Sequence, residues 1–400
     1  MPLTDHAVLG QLTFSHSPII DAQRVVVGTR LSLSTLRPDV VVSGAAVMAA
    51  LAEVWPAMPA RKGGSAVTPG TVALNVVGEQ LLQTLLGCLP ASPFALEVPA
   101  FVCADQATVL TAYHTAGGEL WIKGRGIGEL DPELRALFRE VLYELPATPP
   151  TRRGALGAIA LGATSIAELD NATRQGAVAV AGWPLAETAS ATGARQKVAP
   201  EMQVVLELIN RVEAEDPIER LEATLKSDPS LAFRLLRYMN SAAFGLSVEI
   251  SSFRHALMML GYSKLKRWLA LLLVSASKDS RLKPVMYTAV RRGLVMEELA
   301  RSALDAEMKS EMFICGVFSL LDRLLGQSFA ELLPNVPLPE RVRQALGSGE
   351  GPFMPYLELV FALESGAAYD IQERSEALML SAADVNRALL AALLAARQLD

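Results

Sequence analysis

Near residue 195 the hydrophobic pattern of this chain changes period, and no single fold class accommodates both halves. Before that point, short apolar runs of strand character alternate with segments of helical spacing. Val25–Val27, Thr71–Val77, Phe94–Val98 and Glu119–Lys123 read as buried strands, and Ala155–Leu161 and Ala177–Ala181 as two more, flanking a helix over Ile166–Gln175. Ala45–Trp55, Glu79–Leu86 and Pro132–Leu142 carry helical spacing. Such alternation predicts a parallel α/β sheet or barrel. The stretch Ala189–Lys197 is small and polar, as a linker would be, which sets the expected domains at 1–190 and 191–400.

After the linker the strand signals largely disappear and the second half reads as all-α. Met202, Val205, Leu206 and Ile209 share one helical face. Asp216-Pro217 and Asp228-Pro229 are helix starts, because Asp caps free N–H groups and Pro suits the first turn. Ser252 starts a helix that stops at Gly261, and Ser263 starts another through Ser275. Further helices fit Pro284–Leu304, Ser310–Leu325, Pro339–Leu346, Pro355–Leu363 and, after a Ser381-x-x-Asp384 capping box, Ala382–Ala396.

With 51% hydrophobic and 20% charged residues, 400 positions supply ample core for two domains. The net charge of −6 argues against broad nucleic-acid or anionic-membrane binding. The three cysteines, Cys88, Cys103 and Cys315, are widely spaced, which fits a reduced, cytosolic chain. The N-terminus lacks the basic start and apolar stretch of a signal peptide, and the most apolar runs are too short to span a bilayer. A cytoplasmic location without membrane insertion is expected.

Histidine supply limits the chemistry. There are four, His6, His16, His114 and His255, and the second half has only His255, so a helical site with several His and Asp metal ligands cannot be assembled there. The Gly124–Gly128 stretch (GRGIG) lacks the third-glycine spacing of a dinucleotide loop and is followed by Glu129 and Asp131, so it reads as a flexible turn. No GxSxG elbow or Walker lysine occurs. Lys264, Lys266 and Arg267 open an apolar helix and form the main basic cluster; a solvated face is the plain reading and a phosphate or acidic partner the sharper one. The four Trp residues, Trp55, Trp121, Trp183 and Trp268, sit in apolar surroundings and read as core anchors.

The blocks DPSLAFRLLRYMNSAAFG and ISSFRHALMMLGYSKLKRWLALLL, within Asp228–Leu273, closely resemble the HDOD domain, a helical relative of the HD and HD-GYP phosphohydrolases. Where those hydrolases carry a Gly-x-x-His-Asp block, the matching stretch here is Gly316–Leu320, with Ser319 and Leu320 at the His-Asp positions. The first half resembles a degenerate EAL domain, the TIM-barrel fold of cyclic di-GMP phosphodiesterases. SPIIDAQRVVVGTRLSLS looks like its two opening strands, with Arg30 at the Glu of the signature and Ser34 at the ligand-binding Arg. Asn75 and Glu97 coincide with two metal-ligand positions, while Lys123 and Gly124 stand where paired aspartates are expected. On this resemblance the domain is shorter than a full EAL barrel.

The expected architecture is therefore a degenerate, TIM-barrel-like α/β domain followed by an all-α HDOD domain. Positive side chains at Arg30 and Lys123 oppose a divalent cation by several kcal/mol at an effective dielectric of about 20. The resemblance thus implies no cofactor and no catalysis, with Asn75 and Glu97 as structural leftovers. It points to a bacterial signalling protein acting through contacts with unidentified protein partners. The alternative is a sensor that binds cyclic di-GMP or another nucleotide without hydrolysing it, with Arg30, Lys123 and Arg125 as phosphate donors.

Overall fold

The computed structural model describes residues 4–56, 67, 69–88, 94–147, 157–186, 200–226, 253–275, 279–300, 306–334, 336 and 338–397. The expected linker at 189–197 and the helix start at Asp228-Pro229 lie outside them. The chain forms two compact units: 1–187 with 361–390, and 188–360 with 391–400. Residues 361–390, expected from sequence to belong wholly to the second domain, thus pack with the first half.

The first unit is built on a closed barrel of eight strands in sequential order. Its elements are β1 (Leu12–Asp21), β2 (Val26–Thr35), α1 (Gly44–Val54), β3 (Thr71–Val77), α2 (Glu79–Leu86), β4 (Phe94–Pro99), α3 (Ala107–Thr115), β5 (Glu119–Lys123), α4 (Pro132–Arg135), β6 (Glu140–Glu144), β7 (Gly157–Ala163), α5 (Ile166–Arg174) and β8 (Ala179–Gly182). β2 through β8 run parallel, whereas β1 is antiparallel to both β2 and β8 and closes the ring. Although the domain was expected to be shorter than a full EAL barrel, its eight strands close completely, with short connections such as the four-residue α4.

Local chemistry makes the β1–β2 hairpin. The Asp21 carboxylate accepts hydrogen bonds from the backbone N–H of Gln23 and Val25, and Arg24 takes a left-handed φ of 59°. Arg24 then donates through Nε and Nη2 to Asp170 on α5, which fixes the turn against the barrel wall. Pro132–Leu142, expected to be one helix, breaks instead: α4 ends at Arg135 and β6 begins at Glu140. Alternation in Glu140, Leu142 and Glu144, hidden among helix-favouring residues, wins because β5 and β7 hold the strand between them.

The barrel interior is filled by alternate residues: Ile19, Ala73, Ala95, Trp121, Leu142, Ile159, Leu161, Ala179 and Ala181. The small alanines leave the volume that the buried Trp121 indole occupies. A second layer, with Ile20, Tyr143, Ala160, Leu169, Ala172 and Val180, packs α5 against the outside of the sheet.

β1 is also where residues 361–390 attach. This segment includes α15 (Ala368–Ala377) and opens α16 (Ala382–Arg397), whose first turn carries the expected Ser381–Asp384 capping box. Asn386 is 1% exposed; its amide donates to the carbonyls of Leu9 and Leu12 and its oxygen accepts from the Phe14 N–H.

The second unit is helical. It contains α6 (Pro200–Glu213), α7 (Ile218–Lys226), α8 (Phe253–Ser275), α9 (Lys283–Leu299), α10 (Ala306–Phe318), α11 (Leu321–Leu325), α12 (Phe329–Leu332) and α13 (Glu340–Gly347), and α14 (Met354–Ser365) begins in it. α8 is two helical segments broken at Gly261, whose φ is 72°, as the expected stop and restart imply. The expected Ser310–Leu325 helix is divided into α10 and α11. Two glycines set the α9–α10 crossing: a Cβ on Gly316 would lie 2.5 Å from the Arg292 carbonyl oxygen, and one on Gly293 2.5 Å from Val317. Among the described residues no single helix is long and apolar enough to cross a membrane.

Replacing Asn386 by Leu leaves three buried backbone groups without partners. The barrel unit should lose about 2–4 kcal/mol, read as a lower urea midpoint; a loss under about 0.5 kcal/mol would show that the segment is not anchored there.

Candidate functional site

Parallel strands of a closed barrel end on one face, and the loops and last residues there can converge on one point. Asn75 and Glu97 lie two residues beyond the interior Ala73 and Ala95, and Lys123 two beyond Trp121, so all three continue the interior face toward the C-terminal mouth. Arg30 on β2 has Ala73 as its register partner, and Ser32 has Asn75.

These side chains form one network. Arg30 grips Glu97 with two parallel bonds, Nε to Oε1 at 2.6 Å and Nη2 to Oε2 at 2.8 Å. Lys123 Nζ lies 3.4 Å from Glu97 Oε2 and donates to Asn75 Oδ1. Asn75 Nδ2 donates to Ser32 Oγ at 2.9 Å, which fixes the amide orientation. Glu97 is 0% exposed, whereas the Arg30 and Lys123 side chains are 19% and 20% exposed. The carboxylate is the floor of the site and the cations are its rim.

Electrostatics follow from that layering. Burial works against the Arg30 charge, but Glu97, with a smaller contribution from Glu144 at the end of β6, outweighs it and holds the guanidinium pKa above its ordinary value. For Lys123 burial prevails, so its pKa is lowered despite Glu97, and Arg30 pushes in the same direction.

The resemblance stated above implies a divalent cation at this mouth, and the residues present do not fit one. Both Glu97 oxygens are taken by Arg30, and the Asn75 oxygen by Lys123. Hard cations need several free oxygen donors, and among the described residues no three His, Cys, Asp or Glu side chains converge.

Of the sequence-predicted positions, Arg30, Asn75, Glu97 and Lys123 meet, and Asn75 and Glu97 anchor the network. Ser34 lies further along β2, opposite Val77, and makes no described bond to the cluster. Arg125 is exposed in the loop after β5, where Gly124 and Gly126 have φ of 98° and 85°. GRGIG leads into a single tight turn at Ile127–Glu129 and then the four-residue α4, as a turn does.

In the helical unit, Ser319 Oγ accepts from Arg292 Nη1 and donates to the Gly316 carbonyl, and Leu320 is buried. Part of the basic cluster is used internally. Lys266 pairs with Glu213 at 2.5 Å, and Arg267 pairs with Glu297 and lies 4.3 Å over the Phe313 ring. His255 is half-buried on α8.

Sequence reasoning missed the direct Arg30–Glu97 pairing, although opposite charges at interior positions of nearby strands were its available signal. It also missed Glu140 on β6 and the seat of Asn386 on β1.

Residues 199–333 match the HDOD domain, and an HDOD domain is therefore present. The chain is 30% identical over 196 residues to the cyclic di-GMP phosphodiesterase CdgJ of Vibrio cholerae, covering 49% of this chain and 45% of that protein. It is 34% identical over 163 residues to the uncharacterized protein YuxH of Bacillus subtilis, covering 40% of each. The chain thus spans less than half the length of these curated relatives. Among solved structures, the phosphodiesterase PaMucR in its c-di-GMP complex aligns with 44% of this chain and 96% of its own, at 17% identity and a TM-score of 0.31. The Bacillus subtilis YkuI protein, with an EAL domain, aligns with 63% of this chain and 74% of its own, at 14% identity and a TM-score of 0.31.

The expectation that this chain catalyses nothing is corrected by the first of these relatives, since a protein 30% identical over 196 residues is a phosphodiesterase.

Glu97→Ala strands two half-buried cations and should destabilise the barrel by about 3–5 kcal/mol, seen in the urea midpoint. A change below about 1 kcal/mol would mean that the cations do not depend on Glu97.

Proposed function

We propose that the chain is a signal-transduction protein of the cyclic di-GMP system, whose barrel mouth receives the nucleotide and whose helical unit passes the signal to a protein partner. The observation that carries this reading is the Arg30–Glu97–Lys123 cluster, two cations held at the rim of a barrel mouth by one buried carboxylate. Arg30 spends Nε and Nη2 on Glu97, so Nη1 stays outside that pair and can address a phosphate oxygen.

Arg30, Lys123, Glu97 and Glu144 sum to zero formal charge, so a phosphate is held by directed donors rather than by a strong positive field. Phe101, two residues past the end of β4 and 82% exposed, is assigned in this reading as an aromatic platform for a base. Links to cyclic di-GMP come from the named phosphodiesterase relative, and the HDOD domain supports a signalling context.

Calorimetry of the full chain with cyclic di-GMP in EDTA tests the proposal. Binding is expected, and Phe101→Ala, an exposed position outside the ion network, should weaken it about 5- to 100-fold, the range of one lost stacking contact. No heat and no rise in melting temperature at high micromolar ligand would overturn the reading, because a ligand that binds the folded state must stabilise it.

A further inference from the structure

The barrel holds a second fully buried carboxyl, Glu140 at the start of β6, and its surroundings differ from those of Glu97. Glu140 is 0% exposed, and among the described residues neither of its carboxyl oxygens has a hydrogen-bond partner. Its position is interior: it lies two residues before the core Leu142 and is the register partner of Trp121 on one side and Gly157 on the other. Trp121 in turn has Glu97 as its register partner on β4. One row of the barrel thus carries two buried carboxyls with an indole between them, and among the described residues Glu97 is bonded to cations whereas Glu140 makes no such bond.

We propose that Glu140 is carried as a neutral acid inside the barrel and that its ionisation loosens the barrel, making this residue a built-in pH sensor. An ionised carboxylate without hydrogen bonds or a counter-ion is among the most unfavourable groups to bury, and the group escapes by keeping its proton.

Among the described residues the neighbouring charges do not outweigh burial. From β5 comes Glu119, whose Oε1 accepts from Trp121 Nε1 and whose Oε2 lies 3.7 Å from Arg139. Arg139, next to Glu140 in sequence, is thus engaged with Glu119. β7 has no titratable side chain anywhere along Gly157–Ala163. Burial is the main cause that raises the Glu140 pKa, to about 7; Arg139 lowers it and Glu119 raises it further.

The direction of the effect is fixed by linkage. The folded-state pKa lies above the ordinary value of 4.5, so the folded state binds the proton more tightly than the unfolded chain. The stabilisation is complete below about pH 4.5, declines between there and about pH 7, and is absent above. Over that span the contribution of this one group to the folding equilibrium falls about 300-fold.

Two measurements on the full chain test it. Infrared difference spectra of the wild type, titrated across neutrality, should show a protonated-carboxyl C=O band that vanishes as pH rises and is missing from Glu140→Gln. Urea titrations of the barrel between pH 5 and pH 8 should show wild-type stability falling with pH, with Glu140→Gln flatter by about 70-fold in the equilibrium constant, the part of the full effect that lies in this window. Absence of the band at pH 6, or parallel pH profiles for the two proteins, overturns the proposal. Should Glu140→Gln fail to fold, the wild-type band alone decides, because a carboxyl already ionised at pH 6 gives none.

Discussion

The barrel mouth depends on how one buried charge is satisfied. Glu97 has no solvent exposure, and Arg30 and Lys123 reach it from strands on either side, so the polar partners it needs come from within the barrel. That dependence ties the middle of β2 to the C-terminal parts of β4 and β5, and Asn75 brings in β3. The four central strands of the mouth are thus cross-linked by side chains as well as by backbone ladders. An arrangement that would otherwise gather oxygen donors for a metal is closed by two resident cations, while the chemistry left at the rim is that of N–H donors.

A barrel interior tolerates such polar groups when the rest of it is tightly filled. Alanines at 73, 95, 179 and 181 give Trp121 its room, and the indole stands in register between Glu97 and Glu140. Glu140 stands across that indole from Glu97, so one barrel holds a buried carboxyl bonded to cations and another with no hydrogen-bond partner among the described residues. Closure of the ring by the reversed strand β1 has its own requirement, because the backbone just before and within it turns toward helices rather than strands. Asn386 meets that requirement with a donor–acceptor pair that no apolar residue supplies.

Much of this was legible in the sequence. Period-two and helical spacing found β3, β4, β5 and β7, and the glycine at 261 marked the break in α8, since each signal is local. β6 was not legible, because LFREVLYEL satisfies helical spacing as well as alternation and only its neighbours decide. The site residues Arg30, Asn75, Glu97 and Lys123 were found as positions. Their bonding was not, because it depends on strand register, which places Arg30 two strands from Glu97 at 2.6 Å. The attachment of residues 361–390 to β1 was also invisible, as a contact between positions about 370 residues apart leaves no local pattern. Reading lost metal ligands as lost activity went too far, as the phosphodiesterase relative shows.

If two side-chain cations organise the mouth through Glu97, the energy of that organisation must be shared between the partners. A double-mutant cycle with Arg30→Met and Glu97→Leu, read by urea denaturation of the full chain, measures the shared term most directly. The account predicts a coupling of about 2–3 kcal/mol, with the double variant more stable than the sum of the single losses implies. Additive losses, with coupling under about 0.5 kcal/mol, would contradict it.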